Sequence, residues 1–184
     1  SYTFLNTNRP GSASTEVTLG AADGLTVVGD FDGDGLDDLA VRQAGSNRFD
    51  IYYNADGVIS SESGKQVLYG RASDTPVAGN WDGKGGDTLG IRRGNVFHLR
   101  NSLSGGGADV AFAYGRDTDQ VLAGDFDRDG KDSIAVVRDT KVHVRNSLTA
   151  GPAQVWLNFG RAGDVRVVGD WFGTGTDTPA AYRP

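Results

Sequence analysis

The chain has 184 residues, a formal charge of −6 and 28 glycines, about twice the ordinary share, but no cysteine and no methionine. An acidic balance argues against a nucleic-acid footprint, which would be basic, and no apolar run approaches the roughly 20 residues of a membrane-spanning helix. Without cysteine, neither disulfides nor thiolate metal sites are available. A chain that begins at Ser1 and holds no Met reads as a processed protein or an excised piece.

Taken in order, the chain opens with two strand-like segments, Tyr2–Asn6 and Glu16–Gly20. One sentence then recurs four times: Gly29-Asp30-Phe31-Asp32-Gly33-Asp34-Gly35, Gly79-Asn80-Trp81-Asp82-Gly83-Lys84-Gly85, Gly124-Asp125-Phe126-Asp127-Arg128-Asp129-Gly130 and Gly169-Asp170-Trp171-Phe172-Gly173-Thr174-Gly175. The copies start 50, 45 and 45 residues apart, the size of one propeller blade or solenoid unit. Within residues 75–115, the runs Val77-Ala78, Thr88–Arg92, Val96–Arg100 and Val110–Tyr114 predict four short antiparallel strands joined by tight loops. Phe97–Leu103 returns as Val142–Leu148. Tyr69-Gly70-Arg71, Tyr114-Gly115-Arg116 and Phe159-Gly160-Arg161 close successive units, each followed by an Asp (Asp74, Asp119, Asp164).

After the fourth loop only one strand remains, Pro179–Tyr182. Tyr2–Asn6 matches Phe97–Asn101, and Gly20 matches Gly70, so the missing outer strands stand at the beginning. The expectation is an all-β, single-domain, four-bladed β-propeller of four-stranded antiparallel blades. Its units run 24–70, 74–115, 119–160 and 164–184, with residues 1–20 supplying the outer strands of the last blade. Such a clasp closes a ring and removes sheet edges. Half of an eight-bladed dimer is the alternative, and a monomer is expected.

Counting from the residue after the first Gly, loop one offers carboxylates at positions 1, 3, 5 and 9 (Asp30, Asp32, Asp34, Asp38) and a carbonyl at position 7 (Leu36). Hard oxygen ligands in that number, around a turn hinged at Gly35, suit Ca²⁺, with Mg²⁺ second. Loop three has Asp125, Asp127 and Asp129, the Lys131 carbonyl and Ser133. Loop two has only Asn80, Asp82 and the Gly86 carbonyl, with the Lys84 ammonium at position 5, so its occupancy is doubtful. Loop four puts Phe172 and Thr174 at ligand positions and should hold no metal. Position 8 is Asp in every loop (Asp37, Asp87, Asp132, Asp177), including the one without a metal, which points to architecture. An EF-hand is excluded, because its position-12 Glu is replaced by Val41 and Val136 inside strands.

The Asp-x-Asp-x-Asp-Gly-x-x-Asp loop resembles that of the integrin α-subunit propeller, the FG-GAP family, and its bacterial VCBS-type relatives. Tyr-Gly or Phe-Gly stands where the family has Phe-Gly, and no Gly-Ala-Pro follows. The resemblance covers all four units and implies Ca²⁺ between the first two strands of a blade. It also implies a calcium-stabilised binding or adhesion module, the C-terminal part of a larger secreted or surface-attached bacterial protein. Its ligand would be glycan, cell wall or protein. A structural spacer attached to a secreted enzyme is the alternative. No catalytic machinery is evident: His98 and His143 occupy the same position of different units, and there is no Gly-x-Ser-x-Gly elbow. Tyr52, Tyr53 and Trp156, less regular than the other aromatics, are candidate ligand-facing residues.

Overall fold

The computed structural model describes residues 2–5, 14–19, 24–60, 62 and 64–183. Among them every regular element is a strand and every ladder is antiparallel. The expected ends of two segments, Asn6 and Gly20, lie outside the described residues, as does Pro184.

The N-terminal strands β1 (Tyr2–Leu5) and β2 (Ser14–Val17) form a two-stranded sheet. The first full unit is β3 (Leu25–Gly29), β4 (Asp38–Arg42), β5 (Arg48–Tyr52) and β8 (Lys65–Leu68). Its additional length goes into a small hairpin, β6 (Asn54–Ala55) and β7 (Val58–Ile59). Asp56 and Gly57 at its tip have φ of 54° and 83°, the left-handed pair that a tight two-residue hairpin demands. The second unit is β9 (Thr75–Gly79), β10 (Thr88–Arg93), β11 (Val96–Leu99) and β12 (Val110–Ala113). The third is β13 (Gln120–Gly124), β14 (Ser133–Arg138), β15 (Lys141–Arg145) and β16 (Val155–Asn158). The chain ends in β17 (Val165–Gly169) paired with β18 (Thr178–Tyr182).

Three units therefore have the four-stranded form that the repeat predicts. The shared last sheet is different: β1–β2 and β17–β18 stand as separate two-stranded sheets with no ladder between them. Joining them would pair the two ends of the chain, the least local contact it could make and so the costliest in loop-closure entropy.

The first two seams between units follow one recipe. Phe31, Phe49, Ile51, Val67 and Tyr69 of the first unit bury Leu89 and Ile91 of the second. Trp81, Phe97, Leu99, Phe112 and Tyr114 bury Ile134 and Val136 of the third. Burying several such side chains, at roughly 1.5–3 kcal/mol each, is the main cohesive force of each seam. Tyr69 and Tyr114 add a latch, their hydroxyls donating to the carbonyls of His98 and His143 in the next unit. The N-terminal sheet obeys the same rule. Val17 and Leu19 cover Leu39 and Val41, as Val67 and Tyr69 cover Leu89 and Ile91.

Ion pairs on buried carboxylates mark the turns that begin the second, third and fourth units. Asp74 receives both Arg93 nitrogens, at 2.9 and 2.7 Å, and Asp119 receives those of Arg138 at 3.0 and 2.6 Å. Asp164 receives those of Arg183, each at 2.9 Å. Burial alone would raise the Asp74 and Asp119 carboxyls, but the guanidinium and a backbone N–H together hold them below the usual range. At the corresponding positions of the first unit both partners are gone together, replaced by Gly24 and Gln43. A buried charge left without its partner would be costly.

Candidate metal centres

All four Asp/Gly loops share one backbone turn. The position-1 side chain accepts hydrogen bonds from N–H groups across the loop. Asp30 takes those of Gly33, Asp34 and Gly35, Asp125 those of Asp129 and Gly130, and Asp170 those of Thr174 and Gly175. Asn80 accepts from Lys84 but turns its amide NH₂ onto the Gly85 carbonyl. The turn thus forms with or without a full carboxylate set, as Asx turns do. Its position-6 glycines have φ between 67° and 89°, which a side chain would resist.

What differs between loops is how many carboxylates converge. Oxygen atoms of Asp30, Asp32 and Asp38 lie within 4.8 Å of one another, and so do those of Asp125, Asp127 and Asp129. Among the described residues no such trio occurs in the second or fourth loop. In the second, Asp82 accepts the Lys84 N–H, while Gly86 lies so close to the preceding loop that a Cβ there would meet the Asp30 carbonyl. Asp34 is outside the loop-one trio; its carboxylate accepts the Leu36 N–H. Leu36 and Lys131 are exposed at position 7.

Asp38 is the most informative member. It is fully buried at the start of β4, accepting the N–H groups of Phe31 at 2.9 Å and Asn54 at 2.7 Å. Among the described residues it forms no ion pair with Lys or Arg. Burial pushes its carboxyl up, and the nearby Asp30 and Asp32 push the same way against the two backbone bonds. Each of its oxygens keeps a lone pair for a cation, and a divalent ion would supply the missing counter-charge. The donor set fits a hard cation. At position 9 of loop three the Ser133 hydroxyl donates to the Asn146 carbonyl at 3.1 Å and keeps its lone pairs, as Thr88 donates to the Arg100 carbonyl at 2.6 Å. Loop three is the more open trio, with Asp127 and Asp129 both exposed.

Position 8 turns out to join units rather than to close its own turn. Asp87 accepts the Asp30 N–H at 3.0 Å, Asp132 that of Asn80 at 2.8 Å and Asp177 that of Asp125 at 2.9 Å. Their own N–H groups return to the carbonyls of the same three residues. This explains the glycine that opens the first three copies. A Cβ on Gly29, Gly79 or Gly124 would come 2.5–2.8 Å from the incoming carboxylate.

The three aromatics singled out as ligand-facing are not brought together. Tyr52 is buried in the core with Leu39 and Val41, which corrects its expected place on the surface. Its strand alternation puts it on the face that the N-terminal sheet covers. Tyr53 is half-buried beside loop one, and burial followed by the Asp32 and Asp38 charges raises its phenol. Trp156 is 62% exposed on β16, with the Lys141 ammonium 5.6 Å from its ring centre.

Compared with protein-family models, characterised proteins and solved structures, the chain matches none of them.

Proposed function

We propose that the chain is a calcium-stapled extracellular binding module, built as a four-bladed propeller of FG-GAP/VCBS type. The observation that carries this reading is Asp38. A carboxylate buried without a basic partner, converging with two more, is an arrangement that a divalent cation stabilises. Loop three, with three carboxylates of its own, is the second site. Loop two, carrying Lys84, and loop four, carrying Phe172 and Thr174, are not. The seam made by Val17 and Leu19 supports reading residues 1–20 as outer strands of the blade that begins at β17. Pairing β18 with β1 completes that blade.

The ion binds the folded loop and not the unfolded chain, so it stabilises by mass action, about 2.7 kcal/mol at a concentration 100 times Kd. Sites of this kind in extracellular modules have Kd values of roughly 10⁻⁴–10⁻³ M, matched to calcium outside cells. Scanning calorimetry tests the staple. Millimolar calcium should raise Tm and EDTA should lower it, and Asp38→Asn should remove the part of the difference that loop one supplies, leaving that of loop three. An unchanged Tm after chelation sinks the reading.

A further inference from the structure

Where the first and second units meet, Tyr69 and Arg71 of one and Arg93, His98 and residues 106–108 of the other line a cleft of about 250 Å³. That is below the roughly 300–1,000 Å³ of drug-sized sites, so it admits one small group and not an extended chain. Register brings its side chains together. His98 pairs with Ile91 across β10 and β11, and Ile91 is buried against the first unit. Arg93, two residues beyond Ile91 on β10, therefore shares the face turned towards Arg71. The β11–β12 connection reaches back to the first unit as well: a Cβ on Gly105 would lie 3.0 Å from the Leu68 carbonyl oxygen.

The charges of the cleft leave one cation over. Arg93 gives two nitrogens to the buried Asp74, and Arg100 pairs with Asp109 at 3.5 Å. Arg71 is exposed, and among the described residues its guanidinium has neither an acceptor nor an ion pair. The half-buried His98 imidazole makes no hydrogen bond among them either. Burial first, then the Arg93 charge, hold it below its ordinary 6.5, so at neutral pH it is uncharged and keeps one N–H to donate. The N–H groups of Gly106 and Gly107 are likewise without an acceptor among the described residues. The second seam repeats the side chains as Arg116, Arg138 and His143 but changes their setting. Asp117 follows Arg116 where Ala72 follows Arg71, and Pro152, which has no N–H, stands where the first connection has Gly107. There the surplus charge is cancelled and a donor is lost.

We infer that the cleft of the first seam binds a singly charged oxyanion, a carboxylate or a sulfate monoester carried by a small ligand. The Arg71 guanidinium supplies the balancing charge and a fork of donors, and His98 and the two glycine N–H groups offer further donors to its oxygens. One surplus positive charge matches one negative charge; a phosphate monoester, carrying about −1.5 to −2, exceeds it. The inference rests on the binding-module reading and names the charged group of its ligand.

The test is calorimetric titration of the full 184-residue chain at low ionic strength, in calcium and in EDTA. The probes are methyl glucuronoside for a carboxylate, a glucose sulfate for a sulfate monoester, and methyl glucoside as the uncharged control. Arg71→Ala keeps the backbone N–H that position 71 gives Asp74, and His98→Ala keeps the carbonyl that Tyr69 bonds, so both leave the seam intact. Arg116→Ala is the matched control in the second seam. At least one of the two anions should bind, more weakly as salt is added, and methyl glucoside should not. Its affinity should fall about tenfold in Arg71→Ala, fall in His98→Ala and stay unchanged in Arg116→Ala. Silence of both anions overturns the inference. Binding that ignores Arg71→Ala, or that Arg116→Ala weakens as much, overturns the cleft and leaves a binding module standing. Equal binding of all three sugars removes the oxyanion and likewise leaves the module. A Tm indifferent to EDTA alongside anion binding lost in Arg71→Ala would remove the staple and keep the cleft.

Discussion

Arg128 holds a φ of 64° at position 4 of loop three, where the other loops have Gly33, Gly83 and Gly173 at 82°, 73° and 64°. The turn needs the left-handed conformation, and Arg128 is an L-residue held there by the bonds of Asp125 and Asp129 around it. Such a residue costs on the order of 1–3 kcal/mol, part of which glycine gives back in chain entropy. Arg128→Gly should therefore stabilise the protein by about 1 kcal/mol, raising Tm by about 2–4 °C in a chain of this size. Its guanidinium only reaches over Gly175 at the exposed rim, so little contact is lost. A thermal melt of the variant that falls rather than rises would mean that this contact outweighs the strain.

At the scale of an element, the position-8 carboxylates make each seam sensitive to pH. Burial first, then the neighbouring carboxylates, push Asp87 up to about 6 and Asp132 up to about 7, against the help of one backbone bond each. A folded-state pKa raised above the ordinary 3.8 gives stability that is full below 3.8 and lost as pH rises through 6 to 7. Asp74 and Asp119, held low by their arginines, act in the opposite direction, and their contribution fades only as pH falls below that ordinary value. In EDTA, then, Tm should climb as pH drops from 8 to 5, and Asp132→Asn, which keeps an acceptor for the Asn80 N–H, should flatten the climb. A Tm that rises towards pH 8 in the wild type would contradict this account. The four strands of each repeated unit, the loop turns and the loop-one carboxylates Asp30, Asp32 and Asp38 are legible in the sequence, because each is local to one unit and its pattern recurs, whereas the β6–β7 hairpin, written once, is not. Nor is the partner of each position-8 Asp. It lies across a seam, more than 50 residues away, and no single unit contains both ends of the bond.

For the whole molecule the open question is the fourth seam. Three seams carry a reciprocal pair of bonds between a position-8 Asp and a position-1 backbone; Asp37 and the Asp170 N–H are the two halves of a fourth pair that do not meet. The surfaces flanking them are apolar and bare: Leu25 and Val28 on the first unit, and Val165, Val167, Trp171 and Phe172 on the last, are each at least 44% exposed. Among the described residues β18 pairs only with β17 and β1 only with β2, so each keeps an open edge. Exposed edges beside exposed apolar surface invite pairing, and the pattern of the other seams says with what. If the ring closes, Asp37→Ala should lower Tm by as much as Asp87→Ala, because each then removes one buried acceptor from an equivalent seam. Sedimentation equilibrium decides how closure is made. A monomer mass with a sensitive Asp37 means that one chain clasps its own ends, whereas a concentration-dependent dimer with the same sensitivity means that two copies share eight blades. A monomer in which Asp37→Ala is neutral while Asp87→Ala is destabilising would leave the chain an open arc and overturn the closed ring.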